Sequence, residues 1–354
     1  MTIKEISDKI SISTATIDRV IHNRGRVNPQ TKAYILEKLD EYNYVPNPNG
    51  QVMAGIKKRF KVATILPDIQ SDSQEEFIDM MYKGLSYNFS ILRNSGARIY
   101  DVRYKKGDQN DLINKFSELM EEKVNSIIMY APEFYKAESM LKQARKEGCF
   151  IVSLNCKLSE RTQDAYCGHD NYISGKTAMQ MLCMKLRPNS NIAIFAGSSE
   201  ESSHVERLQG ALDYLESIET HYNVISKIDG SDDIEEKVAN QWKNKKIDGI
   251  LILSIYPVIM ETVRKRKEAE NAVIGCFDLT RKNIEALKNH DVSFIIEQNP
   301  FHQSKKAIDY VHRHLYYGVS KFDDYCSDCT IITDINIDVY LRNHDYLTSD
   351  EYDL

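Results

Sequence analysis

Apolar side chains recur every three or four residues in three short stretches of the first 46 residues, which is the spacing that places them on one face of a helix. Ser13 precedes the second stretch and Asn28-Pro29 precedes the third, and these residue types begin helices. The pattern therefore predicts three short helices, the second from Thr14 to about His22. Their inward positions are Ile3, Ile6, Ile10, Ile17, Val20, Ile21, Ile35 and Leu39.

From residue 60 onwards, short apolar runs alternate with amphipathic stretches of helical length. This alternation predicts an α/β fold with parallel sheets covered by helices on both faces. A stretch of about 290 residues is large for one such sheet. We therefore expect two lobes, about 59–167 with 300–328 and about 168–298 with 330–354. The predicted strands are Phe60–Leu66, Ile127–Tyr130, Phe150–Leu154, Ile192–Ala196, Ile250–Leu253, Val273–Phe277 and Phe294–Ile296.

The composition is that of an ordinary globular protein, with 42% hydrophobic and 28% charged residues. No apolar run approaches the roughly 18 residues that cross a bilayer. Charges are spaced through the N-terminal residues, unlike in a secretory signal. We therefore expect a cytoplasmic protein with no membrane partner. An odd number of seven scattered cysteines fits reduced thiols in that compartment.

Cys326 and Cys329 form the one close cysteine pair. Two further ligands would be needed for zinc, and His312 and His314 are the nearest candidates in sequence. The alternative is that the two cysteines are small residues leading into a strand around Ile331. We favour this alternative and expect no metal and no cofactor.

Charge is distributed unevenly along the chain. Residues 1–59 carry ten Lys and Arg against six Asp and Glu, whereas the whole chain has a net charge of −6. A basic head on an acidic body is expected where only the head meets phosphate groups. A chance cluster of basic residues in a short segment would give the same count.

Two short helices separated by a tight turn and braced by a third form a helix-turn-helix unit. With the inward positions of the second helix filled, the outward ones are Thr14, Ala15, Asp18, Arg19 and His22. An arginine there can donate two hydrogen bonds to guanine in the major groove. Taken alone, Arg19 is better explained as a solvated surface charge, so the case depends on the whole unit.

The run Ile12–Val20 resembles the recognition helix of the LacI/GalR family of bacterial repressors, and residues 28–31 and 42–47 resemble that family's third helix and its exit. The resemblance implies that Thr14, Ala15 and Arg19 reach base edges. Asp18 departs from the family, and its carboxylate would either accept from a cytosine amine or repel phosphate. The resemblance also places four residues near the groove wall or phosphates: Ser13, Thr16, His22 and Arg26.

The same resemblance makes residues 47–58 a hinge that forms a short helix on DNA. Met53 takes the position of a side chain that wedges into the minor groove, and Ala54 takes that of a small residue beside the dimer mate. Pro48 and Gly50 weaken helix formation. The alternative is a flexible linker without groove contacts.

Ligands of open α/β sheets bind beyond the carboxyl ends of the strands. The residues after the predicted strands therefore form the candidate site, and they combine amides, an acid and an aromatic ring. Sugars need this mixture, because planar polar groups bond hydroxyls while an aromatic ring stacks on the sugar ring. The candidates from this argument are Phe77, Asn155, Ser254, Asp278 and Gln298.

The body resembles sugar-binding proteins of the ribose-binding type. On that resemblance Asp278 and Gln298 match paired strand ends that bind the sugar, and Arg207 matches an arginine that bonds a sugar hydroxyl. Ser254 and Asn155 stand where the family has other polar residues. Each position also has a simpler explanation: Arg207 as a surface charge, Asp278 as a helix cap and Phe77 as core.

Taken together, the sequence predicts a helix-turn-helix head (1–46), a hinge (47–58) and a two-lobed effector domain (59–354). The expected function is a DNA-binding regulator, a homodimer on a two-fold symmetric double-stranded operator, controlled by a sugar effector. The runner-up is a transport-type sugar-binding protein. We expect no enzyme, because no hydrolase, nucleotide-binding or metalloprotease motif is present.

Overall fold

The computed structural model describes residues 3–21, 27–42, 59–68, 73–130, 132, 138–158, 162–199, 201–230, 233–254 and 257–344. The predicted hinge lies outside the described residues. So do four of the candidate DNA-contacting residues: His22, Arg26, Met53 and Ala54.

The head contains three helices, α1 (Ile3–Ile10), α2 (Thr14–Ile21) and α3 (Pro29–Glu41), as predicted. The Ser13 hydroxyl accepts from the backbone N–H of Thr16 at 3.2 Å, and the Asn28 side chain accepts from that of Gln30 at 2.9 Å. These bonds satisfy backbone donors that a helix start otherwise leaves free. The helices enclose a small core of Ile6, Ile10, Ile17, Val20 and Ile35.

After the head, strands and helices alternate along the described chain, with a short 3₁₀ turn at Lys267–Ala269. The elements are β1 (Lys61–Pro67), α4 (Ser73–Asn94), β2 (Arg98–Tyr104), α5 (Gln109–Glu121), β3 (Ser126–Met129), α6 (Glu138–Lys146), β4 (Phe150–Leu154), β5 (Ala165–His169), α7 (Asn171–Cys183), β6 (Asn191–Gly197), α8 (Ser202–Ser217), β7 (Asn223–Asp229), α9 (Ile234–Trp242), β8 (Gly249–Ile252), α10 (Pro257–Arg264), β9 (Val273–Phe277), α11 (Arg281–Lys288), β10 (Phe294–Glu297), α12 (Pro300–Tyr317), β11 (Tyr325–Ser327), β12 (Thr330–Ile332) and α13 (Ile337–Asn343).

The strands form two six-stranded sheets. The first has the order β11-β5-β4-β3-β1-β2 and the second the order β12-β10-β9-β8-β6-β7. All pairings are parallel except that of β12 with β10, which is antiparallel. We call the first sheet with α4, α5, α6 and α12 the first lobe, and the second sheet with α7 to α11 and α13 the second lobe. Apolar clusters cover both faces of each sheet, as expected for parallel sheets.

The chain passes between the lobes three times: from β5 to α7, from β10 to α12 and from β11 to β12. All three crossovers, after β5, β10 and β11, leave the carboxyl ends of strands that have a parallel partner. That edge of an open α/β sheet is where ligands bind. The crossovers therefore place the candidate site between the lobes.

All seven strands of the predicted alternation are present, and so is the strand expected around Ile331, which is β12. Four further strands of the described chain, β2, β5, β7 and β11, were not predicted. Of these, β2 and β7 lie at sheet edges, and exposed charged residues interrupt their apolar positions, so they lack a continuous apolar run. The short β11 has only three residues, Tyr325–Ser327, which are too few to form a recognisable pattern. In contrast, β5 is fully buried, but a glycine and a histidine at its end obscure the pattern.

The histidines considered for zinc have other partners. His312 Nε2 lies 3.0 Å from the Ser95 hydroxyl, and His314 Nδ1 lies 2.8 Å from the carbonyl oxygen of Val319. Among the described residues, no group of three or more His, Cys, Asp and Glu is arranged to hold a metal ion. Within the same residues, no helix combines the length and apolar character needed to cross a membrane.

Candidate functional site

A cleft lies between the two lobes. The first lobe contributes Pro67, Phe77, Ile78, Lys106, Tyr130, Pro132 and Asn155, and the second lobe with the second crossover contributes Glu201, Ser203, His204, Arg207, Asp278 and Gln298. The structure thus brings together five residues that were singled out from the sequence. These are Phe77, Asn155, Arg207, Asp278 and Gln298.

Arg207 is the central charged group of this cleft and is only 3% exposed, so it is not a surface charge. Its Nε donates to Asn171 Oδ1 at 3.0 Å, its Nη1 to the carbonyl of Leu253 at 2.9 Å, and its Nη2 to Gln298 Oε1 at 2.6 Å. The guanidinium also lies 4.5 Å from the ring centroid of Phe277. All three nitrogens are therefore held in place before any ligand arrives.

Gln298 connects the two lobes. Its Nε2 donates to Asp278 Oδ1 at 2.5 Å, while its Oε1 accepts from Arg207 and, at 3.3 Å, from Asn155 Nδ2. Asn155 belongs to the first lobe and Asp278 to the second. Both have positive φ, 51° and 71°, in the left-handed region that Asn and Asp tolerate better than most residues. One amide therefore joins polar groups from both sides of the cleft.

Burial lowers the pKa of Arg207, and two other titrating groups of the cleft also have shifted pKa values. Burial raises the pKa of Asp278 to about 6, although Arg207 and the bond from Gln298 oppose this shift. Burial and the nearby Arg207 lower the pKa of His204 to about 3. His204 is consequently neutral at physiological pH, and its Nδ1 accepts from the backbone N–H of Ser198 at 3.1 Å.

The side of the cleft formed by the first lobe is more apolar than the side formed by the second lobe. Phe77 is half-buried on α4, next to the buried Ile78, and Tyr130 follows β3. Opposite them lie the polar groups around Arg207. A cleft with an aromatic, apolar wall facing a polar wall suits a ligand with a hydroxylated rim and an apolar ring face.

Ser254 is not brought into this cleft. It is 2% exposed and lines a second cavity, between α10 and α11. Its side chain packs close to Gly197, where an added Cβ would lie 2.8 Å from the Ser254 Cβ and 2.7 Å from His204 Nδ1. The end of the strand was located correctly, but the structure does not bring Ser254 together with the other candidates.

Sequence reasoning missed several residues of the cleft wall. His204 lies three residues before Arg207 on α8, a spacing that places both on one helix face and was available as a signal. Lys106 follows the unpredicted strand β2, so no strand end pointed to it. Tyr130 was assigned to a strand, although it is the first residue after β3.

The outward face of α2 is accessible to solvent. Ser13, Thr14, Ala15 and Arg19 are exposed, while Thr16 and Asp18 are half-buried. The hydroxyls of Ser13 and Thr16 lie 2.9 Å apart. Among the described residues, the predicted outward positions of α2 therefore do not belong to the core, which includes Ile17 and Val20.

Comparison with known families agrees with this architecture. Residues 69–318 match the periplasmic binding protein domain family, and residues 2–47 match the bacterial regulatory proteins of the lacI family. The chain belongs to the periplasmic-binding-protein family and carries an N-terminal domain of the lacI type.

Curated relatives include catabolite control protein A of Priestia megaterium, 26% identical over 59% of this chain and 59% of that protein. The sucrose operon repressor of Pediococcus pentosaceus is 26% identical over 60% of each chain. The regulator MalR of Streptococcus pneumoniae is 27% identical over 59% of this chain and 61% of its own. The alignments thus span about three fifths of the length of these relatives, all of which are named as regulators.

Solved structures share the fold. A putative LacI transcriptional regulator from Bacteroides fragilis has a TM-score of 0.69 at 18% identity, covering 80% of this chain and 99% of that chain. A solute-binding protein from Burkholderia graminis, in complex with D-arabinose, has a TM-score of 0.68 at 19% identity, covering 78% and 96%. At such identities the likeness establishes the fold alone.

Proposed function

We propose that this protein is a DNA-binding transcription regulator, most simply a repressor, whose operator affinity is set by a sugar or sugar derivative in the cleft. The observation that carries the proposal is the combination, in one chain, of an exposed helix face in a helix-turn-helix unit with a two-lobed cleft. Neither part alone would imply regulation.

The head supports the DNA-binding half of the proposal. Thr14, Ala15 and Arg19 are exposed on one side of α2, opposite the buried Ile17 and Val20. The second helix of such a unit lies in the major groove, where arginine pairs with guanine. The excess of basic residues within 1–59 favours contact with phosphates.

The cleft supports the sugar-binding half. Fixed donors and acceptors around Arg207, Asp278 and Gln298 face the aromatic and apolar side chains of the first lobe. A ligand that contacts both walls stabilises the arrangement in which the lobes are close together. Coupling of this kind changes the affinity of a second site, which here is the head.

Several further features belong to the same proposal. The regulator acts in the cytoplasm, as a homodimer whose two heads bind the half-sites of a two-fold operator. The head comprises residues 1–46, the hinge 47–58 and the effector domain 59–354. In the hinge, Met53 wedges into the minor groove and Ala54 lies beside its mate. The cleft binds its ligand without chemical turnover, in agreement with relatives named as regulators.

A second candidate is a transport-type sugar-binding protein, because solute-binding proteins share the fold of the two lobes. The lacI-type head favours regulation over this alternative. DNA binding by the intact chain separates the two functions.

The test is selection of double-stranded DNA from a random pool by the full chain and by residues 59–354. We expect the full chain to enrich a two-fold symmetric sequence and residues 59–354 to enrich none. Equal enrichment by the shorter chain would remove the head from DNA binding.

Within the head, Arg19→Ala should weaken binding to the selected sequence by roughly 1–3 kcal/mol and relax specificity at one base pair of each half-site. Lys4→Ala is the matched control, since Lys4 is an exposed basic residue on α1. A uniform loss on all sequences would make Arg19 a phosphate contact instead of a base contact. Fluorescence anisotropy with mutated half-sites provides the measurement.

A further inference from the structure

The three crossovers between the lobes meet at one buried hydroxyl group, that of Ser327 at the end of β11. Its Oγ lies 3.1 Å from the carbonyl oxygen of Gly168, at the first crossover, and 2.5 Å from that of Gln298, at the second. It also lies 3.2 Å from His169 Nδ1. A hydroxyl carries one proton, so Ser327 donates to one of these partners at a time.

Gln303, on α12 in the first lobe, completes this arrangement and is fully buried. Its Nε2 donates to the carbonyl of Gln298 at 2.8 Å and to Ser327 Oγ at 3.3 Å. Its Oε1 accepts from Asn155 Nδ2 at 3.2 Å. Asn155, Gln298, Gln303 and Ser327 therefore form a closed, buried ring of hydrogen bonds.

We propose that Ser327 and Gln303 are positioning residues that set the angle between the two lobes, and with it the width of the cleft. Neither belongs to the cleft wall described above. They act through Gln298, whose backbone they hold and whose side chain bridges Asn155 and Arg207.

The physical reason is that relative rotation of the lobes must change distances at the crossovers. A buried carbonyl that loses its donor is costly, so the ring favours the one lobe angle at which all its bonds are made. Removing one side chain from the ring reduces the free-energy preference for this lobe angle and raises the population of molecules with other angles. The consequence for effector binding rests on the proposed function, whereas the effect on the lobe angle does not.

The test is single-molecule energy transfer between dyes on non-natural amino acids at Asn114 in α5 and Asn240 in α9, one in each lobe and both exposed. This chemistry avoids the seven native cysteines. Full-length labelled chain is diluted into an excess of unlabelled chain, so that both dyes lie in one molecule. No ligand and no DNA are added, which makes the result independent of the proposed function.

We expect Ser327→Ala and Gln303→Met each to increase the population outside the main distance peak by about tenfold, the factor that corresponds to one lost hydrogen bond of ordinary strength. Ser327→Thr, which retains the hydroxyl, should restore the parent distribution. Ser126→Ala is the matched control, because its buried hydroxyl donates to the carbonyl of Phe150 at 2.9 Å within the first lobe alone.

Parent-like distributions in both Ser327→Ala and Gln303→Met would overturn the inference, even if the protein proves to be a sugar-controlled regulator. An equal change in Ser126→Ala would also overturn it, since the effect would then reflect general loosening. A changed lobe angle in a chain that binds no operator would leave the inference standing and remove the proposed function.

Discussion

The two lobes share a strand order but offer different chemistry to the cleft between them. The first lobe contributes Phe77, Ile78 and Tyr130, with Asn155 as its buried amide. The second contributes the buried Arg207 and Asp278, and the crossover residue Gln298 lies between them. Two lobes with the same strand order thus form different sides of the cleft: the first lobe forms a largely apolar wall, and the second forms a polar, hydrogen-bonded wall.

This difference assigns different tasks to the lobes. Groups that are fixed before binding, such as the guanidinium of Arg207, orient a ligand at little cost in conformational freedom. A half-exposed aromatic side chain such as Phe77 gains its contact when the lobes approach. We therefore expect the second lobe to determine affinity and orientation, and the first lobe to determine closure.

The largest effect should come from the second lobe. Arg207→Met leaves Asp278 buried without its cation and removes donors from the cleft. We expect effector affinity to fall by about 3 kcal/mol, roughly a hundredfold. The effector is first identified by thermal shift with a panel of monosaccharides and sugar phosphates, and affinity is then measured by calorimetry.

The matched control is Arg145→Met in the first lobe, where Arg145 pairs with Asp164 at 2.6 Å away from the cleft wall. It should leave affinity unchanged. Equal losses in the two variants would show that the Arg207 effect is one of stability, and the contrast between the lobes would be lost.

A smaller effect is expected from the first lobe. Phe77→Ala removes a stacking surface, so affinity should fall by about 0.5–1.5 kcal/mol, less than for Arg207→Met. Phe322→Ala, at a half-buried aromatic position whose ring centroid lies 5.5 Å from that of Phe150, is the control. Calorimetry with the same sugar checks both. A larger loss for Phe77→Ala than for Arg207→Met would reverse the assignment of tasks.

The smallest effect concerns pH. Burial and the neighbouring Asp278 raise the pKa of Glu297, in the second lobe, to about 7. A carboxyl group with a raised pKa binds protons on folding, so its stabilising contribution is present at low pH and is lost as the pH rises through about 7. The free energy of unfolding of Glu297→Gln minus that of the parent protein should therefore be larger at about pH 8 than at about pH 5.

Glu122→Gln is the control from the first lobe. Its hydrogen bond from Lys61 lowers the pKa of Glu122, so the carboxylate is ionised in both states over that pH range. The difference from the parent should stay constant there. Urea unfolding at both pH values measures these differences, and the same pH trend in both variants would contradict the account.

The sequence was informative where a physical rule links residue order to position. Carboxyl ends of neighbouring parallel strands share an edge, and this rule located Asn155, Asp278 and Gln298 in the cleft. It gives the place of the backbone but not the cavity that each side chain lines, and Ser254 lines a different cavity.

Other features left no signal of that kind. In the edge strand β2, the exposed Arg98 and Asp101 interrupt the half-buried residues, so the end of this strand and the cleft residue Lys106 went unrecognised. The ring at Ser327 depends on hydrogen bonds from Asn155 to Gln298 and Gln303, which lie 143 and 148 residues away in sequence. Such long-range packing is decided by the folded structure and not by local periodicity.

The most direct test of the central claim is the affinity of the full chain for its selected operator, measured by fluorescence anisotropy with and without the identified sugar. We expect the sugar to change this affinity by roughly 5–150-fold, the range typical of coupling between two sites. Arg207→Met should abolish the change at the same sugar concentration while leaving operator affinity without sugar intact. An operator affinity that is the same with and without saturating sugar would contradict the account.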